Sequence, residues 1–195
     1  FGQDFIQTIQ QIEIYKGANG AHFGPSAIAG AINIITDIDY TNSYTISGFG
    51  LQNNSTDANY SQITNNGWHL NIKGASTQSK TNSAIADGIE DDYSTNSQIN
   101  LNGTKWINDN LKFKSTIYTR KTETEYDGTA TDEIGYVADD RMYALQSNLE
   151  HKSKNSEENL TFHYHKYDRQ YENKGYLDEY YSQSAVIKGE KRIKK

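Results

Sequence analysis

The chain has 195 residues, a formal net charge of −6, no cysteine and 15 tyrosines. The acidic balance argues against a nucleic-acid partner, because general nucleic-acid binding requires a basic surface. Only 34% of the residues are hydrophobic, and no run approaches the roughly 18 apolar residues of a membrane helix. A transmembrane β-barrel is compatible with this composition, since its strands need apolar residues only at alternate positions.

The first patterned stretch spans residues 9–37. Ile12 and Ile14 alternate with Glu13 and Tyr15, and a second isoleucine-rich run surrounds Asn33. Period-2 alternation of β-branched residues predicts strands at residues 9–16 and 31–36. The glycines and alanines between them predict tight turns or a close approach of the backbone.

From Ser43 onward the sequence predicts eight antiparallel strands. Each is close to the roughly 9–11 residues that cross a bilayer on a tilt. Short turns at residues 65–67, 108–110 and 152–158 alternate with long polar connections at residues 79–94, 123–140 and 168–180. This alternation is typical of outer-membrane barrels. The predicted strands are residues 44–51, 57–64, 68–77, 98–106, 111–120, 141–150, 160–167 and 182–193.

Apolar and polar side chains alternate within these strands, which predicts a sheet with two different faces. The residues expected on a lipid-facing side are Leu70, Ile72, Leu101, Phe113, Leu145, Phe162 and Tyr164. The residues expected on the lumen side are Asn71, Lys73, Asn100, Asn102, Lys114, Gln146, His163 and His165. A soluble up-and-down barrel would reverse the two sides, and periodicity alone does not exclude it.

A series of short motifs in residues 9–37 carries a family resemblance. The motifs are Ile12-Glu13-Ile14, Lys16-Gly17, Phe23-Gly24, Ala27-Ile28-Ala29-Gly30 and Ile32-Asn33-Ile34-Ile35-Thr36. In order and spacing they resemble the end of the plug domain of TonB-dependent outer-membrane receptors. The resemblance implies an all-β transmembrane barrel, present in part, preceded by the C-terminal part of a small α+β plug domain. It assigns residues 1–38 to the plug and residues 39–195 to the first barrel strands.

The resemblance also implies a function. The expected protein is a receptor in the outer membrane of a Gram-negative bacterium that takes up a scarce small-molecule nutrient by TonB-dependent active transport. Its partner would be the TonB complex, engaged through a segment N-terminal to this chain. A cobalamin-like nutrient is the first expectation, and a ferric siderophore receptor or a passive porin-like barrel are the alternatives. An enzyme is not expected, because the chain lacks a cysteine nucleophile, a GxSxG motif and a phosphate-binding glycine loop.

Acidic residues are concentrated in the predicted connections 123–140 and 168–180. Neighbouring loops rich in aspartate suit calcium, a hard ion with oxygen ligands. The order Tyr126-Asp127, Asp140-Arg141-Met142-Tyr143 and Leu177-Asp178-Glu179 resembles the same region of outer-membrane cobalamin receptors, whose loop aspartates bind calcium. The resemblance implies that calcium is the one possible cofactor, with candidate ligands Asp127, Asp139, Asp140, Asp168 and Asp178. Solvated charges on mobile loops are the alternative interpretation.

Overall fold

A computed structural model describes residues 9–17, 29–36, 43–49, 53–82, 91–126, 136–173 and 175–194. The chain divides into two compact units, Phe1–Ile38 and Asp39–Lys195. The described residues form ten β-strands in two antiparallel sheets and contain no helix. Within that part of the chain, accordingly, no helix is long and apolar enough to cross a membrane.

The first unit contains a two-stranded antiparallel sheet made by β1 (Ile9–Lys16) and β2 (Gly30–Thr36). Both predicted strands are therefore confirmed to within one residue. The carboxylate of Glu13 accepts hydrogen bonds from the Tyr15 hydroxyl at 2.8 Å and the Asn33 amide at 2.9 Å. Glycine is required at position 30, because a Cβ there would lie 2.5 Å from the carbonyl oxygen of Tyr15.

The second unit contains an eight-stranded antiparallel sheet in which each strand pairs with the next one along the chain. The predicted number and order of strands are confirmed. The strands are β3 (Ser43–Phe49), β4 (Asn53–Ile63), β5 (Trp68–Asn82), β6 (Asp91–Asn108), β7 (Leu111–Glu125), β8 (Tyr136–Lys152), β9 (Ser156–Asn173) and β10 (Tyr176–Ile193).

The cross-strand register separates the side chains into two faces. One row consists of Ile72, Leu101, Ile117, Leu145 and Tyr164, and we call this side the outer face. The neighbouring row consists of Asn71, Asn102, Thr116, Gln146 and His163, and we call this side the inner face. Every residue predicted for the lipid-facing side lies on the outer face, and every residue predicted for the lumen side lies on the inner face. The predicted separation of the two faces is therefore confirmed.

The inner face is the more buried one although it is polar. Asn71 is 4% exposed, whereas Ile117 on the outer face is 50% exposed. Side-chain hydrogen bonds cross the inner face from Asn71 to Asn59 at 2.6 Å, from Asn102 to Asn71 at 3.2 Å and from Thr116 to Asn102 at 2.9 Å. Hydrogen bonds within the sheet thus satisfy part of the polar inner face. Apolar side chains on the outer face, in contrast, are exposed.

The strands are longer than predicted at one end of the sheet, which we call the distal end and define by Tyr126, Tyr136 and Asn173. Strands β6 and β9 have 18 residues each. The predicted connection at residues 168–180 is wrong, because β9 and β10 pair through most of it and turn near Gly175, whose φ is +89°. Parts of the connections 79–94 and 123–140 are also strand, and residues 83–90 and 127–135 lie outside the described residues.

The strands extend into the predicted connections for a physical reason. Strands were predicted only where apolar residues alternate with polar ones, but backbone pairing continues where both faces are polar. The opposite end of the sheet, the proximal end, agrees better with the prediction. Its tight turn at Gly67 has φ +75°, and a second turn at Asp109–Asn110 joins β6 to β7.

Candidate functional site

The distal part of the inner face carries a cluster of arginine, aspartate and tyrosine side chains. The register aligns Thr122, Asp140, Arg169 and Tyr180 in one row across β7 to β10. The next row towards the distal end contains Thr124, Ala138, Tyr171 and Asp178. Strand alternation directs all of these side chains to the same face.

An ion pair between Asp140 and Arg169 forms the base of the cluster. The Nε and Nη2 atoms of Arg169 each donate a hydrogen bond to a different oxygen of Asp140. Asp140 is only 5% exposed, and the Tyr167 hydroxyl donates a further hydrogen bond to it at 2.9 Å. Such a two-point contact fixes the orientation of the guanidinium group.

Aromatic rings surround this arginine. The guanidinium carbon of Arg169 lies 5.5 Å from the ring centre of Tyr167 and 5.3 Å from that of Tyr171. Its Nη1 atom also donates a hydrogen bond to the Tyr171 hydroxyl at 2.7 Å. These distances are within the range of cation–π attraction.

Four tyrosines extend the cluster to the distal end, and we call Tyr126, Tyr136, Tyr171 and Tyr180 the tyrosine cluster. Ring centres are 5.5 Å apart for Tyr126 and Tyr136, 6.0 Å for Tyr126 and Tyr171, and 5.9 Å for Tyr171 and Tyr180. All three pairs meet edge to face, a favoured geometry for aromatic rings. Ala138 separates Thr124 from Tyr171 in the register, and its small side chain leaves room for the rings.

The electrostatics of the site keep Tyr126 and Tyr167 neutral and Arg169 charged. Burial and the hydrogen bond to Asp140 raise the pKa of Tyr167 to about 12. Burial and the neighbouring Tyr171 raise the pKa of Tyr126. The hydrogen bond to Asp140 raises the pKa of Arg169. The site therefore presents aromatic faces and hydroxyl groups around a neutralised arginine–aspartate pair, which suits a ligand with planar groups.

The structure does not bring the predicted calcium ligands together. Asp139 and Asp168 are on the outer face, Asp140 and Asp178 are on the inner face, and Asp127 is outside the described residues. Asp139 is bonded to Lys121 at 3.2 Å and Arg141 at 3.1 Å, and Asp168 is bonded to Lys166 at 2.7 Å. Among the residues that the structure describes, no group of three or more histidine, cysteine, aspartate or glutamate side chains could hold a metal ion.

Sequence reasoning missed the cluster around Arg169 because it treated residues 168–180 as a loop. The signal was present in Tyr167, Arg169 and Tyr171, which alternate at the period of a strand. Extending the predicted strand at 160–167 by a few residues places all three side chains on the inner face, together with His163 and His165.

Most of the chain has a counterpart among solved structures. The chain is similar to the siderophore receptor PiuA from Acinetobacter baumannii, with a TM-score of 0.66 and 16% sequence identity over 92% of this chain. The fold is that of a partial antiparallel β-barrel, as in the matching part of that receptor. The fold class predicted from the sequence is thus confirmed for the barrel part.

The similarity concerns part of a larger molecule, since the chain spans 31% of the length of PiuA. No protein-family model and no curated protein matches the chain. The assignment of residues 1–38 to a plug domain stays a prediction.

Proposed function

We propose that the chain forms part of a TonB-dependent receptor in the outer membrane of a Gram-negative bacterium. The observation that carries the proposal is the separation of apolar and polar side chains onto opposite faces of a sheet with this fold. A membrane barrel needs apolar side chains towards lipid and tolerates polar ones towards its lumen. A soluble barrel requires the reverse arrangement.

The outer face supports this proposal by the order of its apolar and aromatic residues. Its apolar band on β8 extends from Leu149 to Tyr143, about 20 Å along the strand or roughly 15 Å along the axis of a barrel whose strands tilt by about 40°. The rings of Trp68 and Phe113 meet at 6.1 Å at the proximal edge of the band, and Tyr143 and Tyr164 lie towards its distal edge. Outer-membrane barrels have an apolar band of about 25 Å between two aromatic girdles.

The Arg169 site and the tyrosine cluster lie beyond this band, on the inner face. In a barrel this location is the mouth, where a ligand arrives before it is transported. We propose that the cluster contributes to binding a small-molecule nutrient. A ferric siderophore is supported by the name of the similar receptor, and a cobalamin-like nutrient is supported only by the sequence resemblance.

Binding and uptake by the complete receptor test the proposal. We expect saturable binding of a ferric siderophore or of cobalamin, and uptake that stops when TonB is deleted. Replacing both Tyr126 and Tyr171 by alanine should weaken binding at least about tenfold, or about 1.4 kcal/mol. The matched control is Tyr143→Ala on the outer face, which should leave affinity unchanged.

A passive porin-like barrel is the competing function. It predicts diffusion of small solutes that is independent of TonB and of the tyrosine cluster. Uptake that continues without TonB would therefore favour the porin and contradict the receptor.

Calcium binding by the distal end is a further part of the proposal and rests on the aspartate pattern. A site that includes Asp168 requires Lys166 to release that carboxylate. Calcium should then raise ligand affinity in the wild-type receptor and raise it less in Asp168→Ala. If calcium changes neither affinity nor protease resistance in either protein, the aspartates serve only in ion pairs and solvation.

A further inference from the structure

Two histidines and the only methionine of the chain lie on the inner face, on the proximal side of Arg169, and we call His163, His165 and Met142 the imidazole–thioether group. The two histidines alternate in β9, so they face the same side roughly 7 Å apart along the strand. Both are exposed, and Met142 is half-buried. Among the described residues, no third histidine, cysteine, aspartate or glutamate joins the pair in a metal-binding group. A third protein ligand therefore has to be a donor of another type.

The register places the thioether of Met142 beside His165. Met142 is opposite Tyr167 and Ala144 is opposite His165, so Met142 and His165 are diagonal neighbours next to a small side chain. Diagonal positions on one face of a sheet are within reach of long side chains. Asp140 and Tyr167 stand in the same diagonal relation one row further on, and their side chains meet at 2.9 Å. The twist of this sheet therefore closes the diagonal on which Met142 and His165 lie.

A hydrogen bond orients the ring of His165. Its Nδ1 atom lies 3.0 Å from the hydroxyl oxygen of Ser184. When the Nδ1–H group donates to Ser184, the lone pair is on Nε2, and metal-binding histidines commonly hold their second ring nitrogen in this way. Lys188, one row to the proximal side of His163, is bonded to Glu190 at 2.7 Å. The charge of this lysine is thus balanced by its own partner, which lets a metal cation approach the histidines.

We propose that the imidazole–thioether group binds a Cu(I) ion on the inner face. Thioether sulfur is a soft donor that selects Cu(I), and imidazole is a good copper ligand. Calcium requires oxygen ligands, and the three side chains of this group offer none. The inference goes beyond the proposed function, because the site requires neither the transported nutrient nor TonB.

Anaerobic titration of the complete receptor in detergent tests the proposal, with Cu(I) alone as the probe and a chromogenic Cu(I) chelator as competitor. We expect the wild-type receptor to bind one more Cu(I) ion than the double variant His163→Ala/His165→Ala. The matched control is the double variant His69→Ala/His151→Ala, which also removes two histidines from this chain but from other strands. The control should bind as many Cu(I) ions as the wild type.

The decisive single variant is Met142→Leu, which keeps the volume of the side chain and removes its sulfur. We expect its affinity for Cu(I) to fall at least about tenfold. Its affinity for Zn(II) should change by less than about twofold, because zinc takes imidazole ligands without a thioether. X-ray absorption of the copper-loaded wild type should show a sulfur neighbour that Met142→Leu lacks.

Equal Cu(I) binding by the wild type and the His163→Ala/His165→Ala variant would overturn the proposal, and so would an equal loss in the control variant. An unchanged Cu(I) affinity in Met142→Leu, or an equal loss of Zn(II) and Cu(I) affinity there, would also overturn it. This single variant decides the question even if the double variant does not fold. Failure to bind Cu(I) contradicts only this site, whereas nutrient uptake that continues without TonB contradicts only the proposed function.

Discussion

Asp139 and Asp140 are neighbours in β8 and have opposite environments. Asp140 points to the inner face, where Arg169 and Tyr167 surround it and leave it 5% exposed. Asp139 points to the outer face, where Arg141 and Lys121 bind it at the surface. Burial raises the pKa of Asp139, but the hydrogen bonds from Arg141 and Lys121 outweigh it, so the pKa is below its ordinary value. An aspartate thus fixes Arg169 in the candidate site on the inner face, and its neighbour in the sequence holds Arg141 and Lys121 at the surface of the outer face.

The largest expected effect comes from breaking the inner pair. Arg169→Gln leaves the buried carboxylate of Asp140 without its cation, and breaking such a pair costs about 3–5 kcal/mol. Urea unfolding of the receptor in detergent measures the loss. Adding Asp140→Asn to Arg169→Gln should restore part of the stability, since no buried charge is then left unpaired.

The outer pair provides the matched comparison. Arg141→Gln removes an exposed partner of Asp139, and exposed pairs contribute about 0–1 kcal/mol. A loss for Arg141→Gln as large as that for Arg169→Gln would show that the two faces do not differ as described.

The second prediction compares the cost of a new charge on the outer and inner faces at the level of the apolar band. Leu145 and Gln146 are adjacent in β8 and lie on opposite faces. Leu145→Arg exposes a charge to lipid and should cost about 2–4 kcal/mol. Gln146→Arg points to the polar inner face and should cost much less in the same unfolding assay. Equal costs would contradict the assignment of the faces.

The third prediction concerns the titration of Tyr167 at the inner site. The pKa of Tyr167 rises from 10.0 to about 12 in the folded protein. The stabilisation from its bond to Asp140 is therefore complete below about pH 10 and is lost as the pH rises towards about 12. Tyrosinate absorbance should show a late-titrating tyrosine that is absent in Tyr167→Phe. An unchanged titration curve in Tyr167→Phe would contradict this environment.

The sequence was most informative where a single face is apolar. Leu101, Leu145 and Phe162 alternate with polar residues, and this period of two predicted both the strands and the faces. The two short strands of the first unit were predicted for the same reason. Their register places Ile14 opposite Ile32 and Ile12 opposite Ile34.

The distal end was beyond this kind of prediction. Around Arg169 both faces are polar, so no hydrophobic period marks the strands, and the residues resemble an acidic loop. The pairing of Asp140 with Arg169 joins residues 29 positions apart, and it depends on the register of β8 and β9. That register is set over the full length of both strands, so no local sequence signal identifies the pair.

Lipid contact of the two faces tests the central claim most directly. The 195 residues contain no cysteine, so single cysteines at Ile117 and Thr116, adjacent in β7 and on opposite faces, can each carry one fluorescent label in this part of the receptor. The account predicts strong quenching by brominated lipid at position 117 and little at position 116. Equal quenching, stronger quenching at position 116, or no quenching at either position would contradict it.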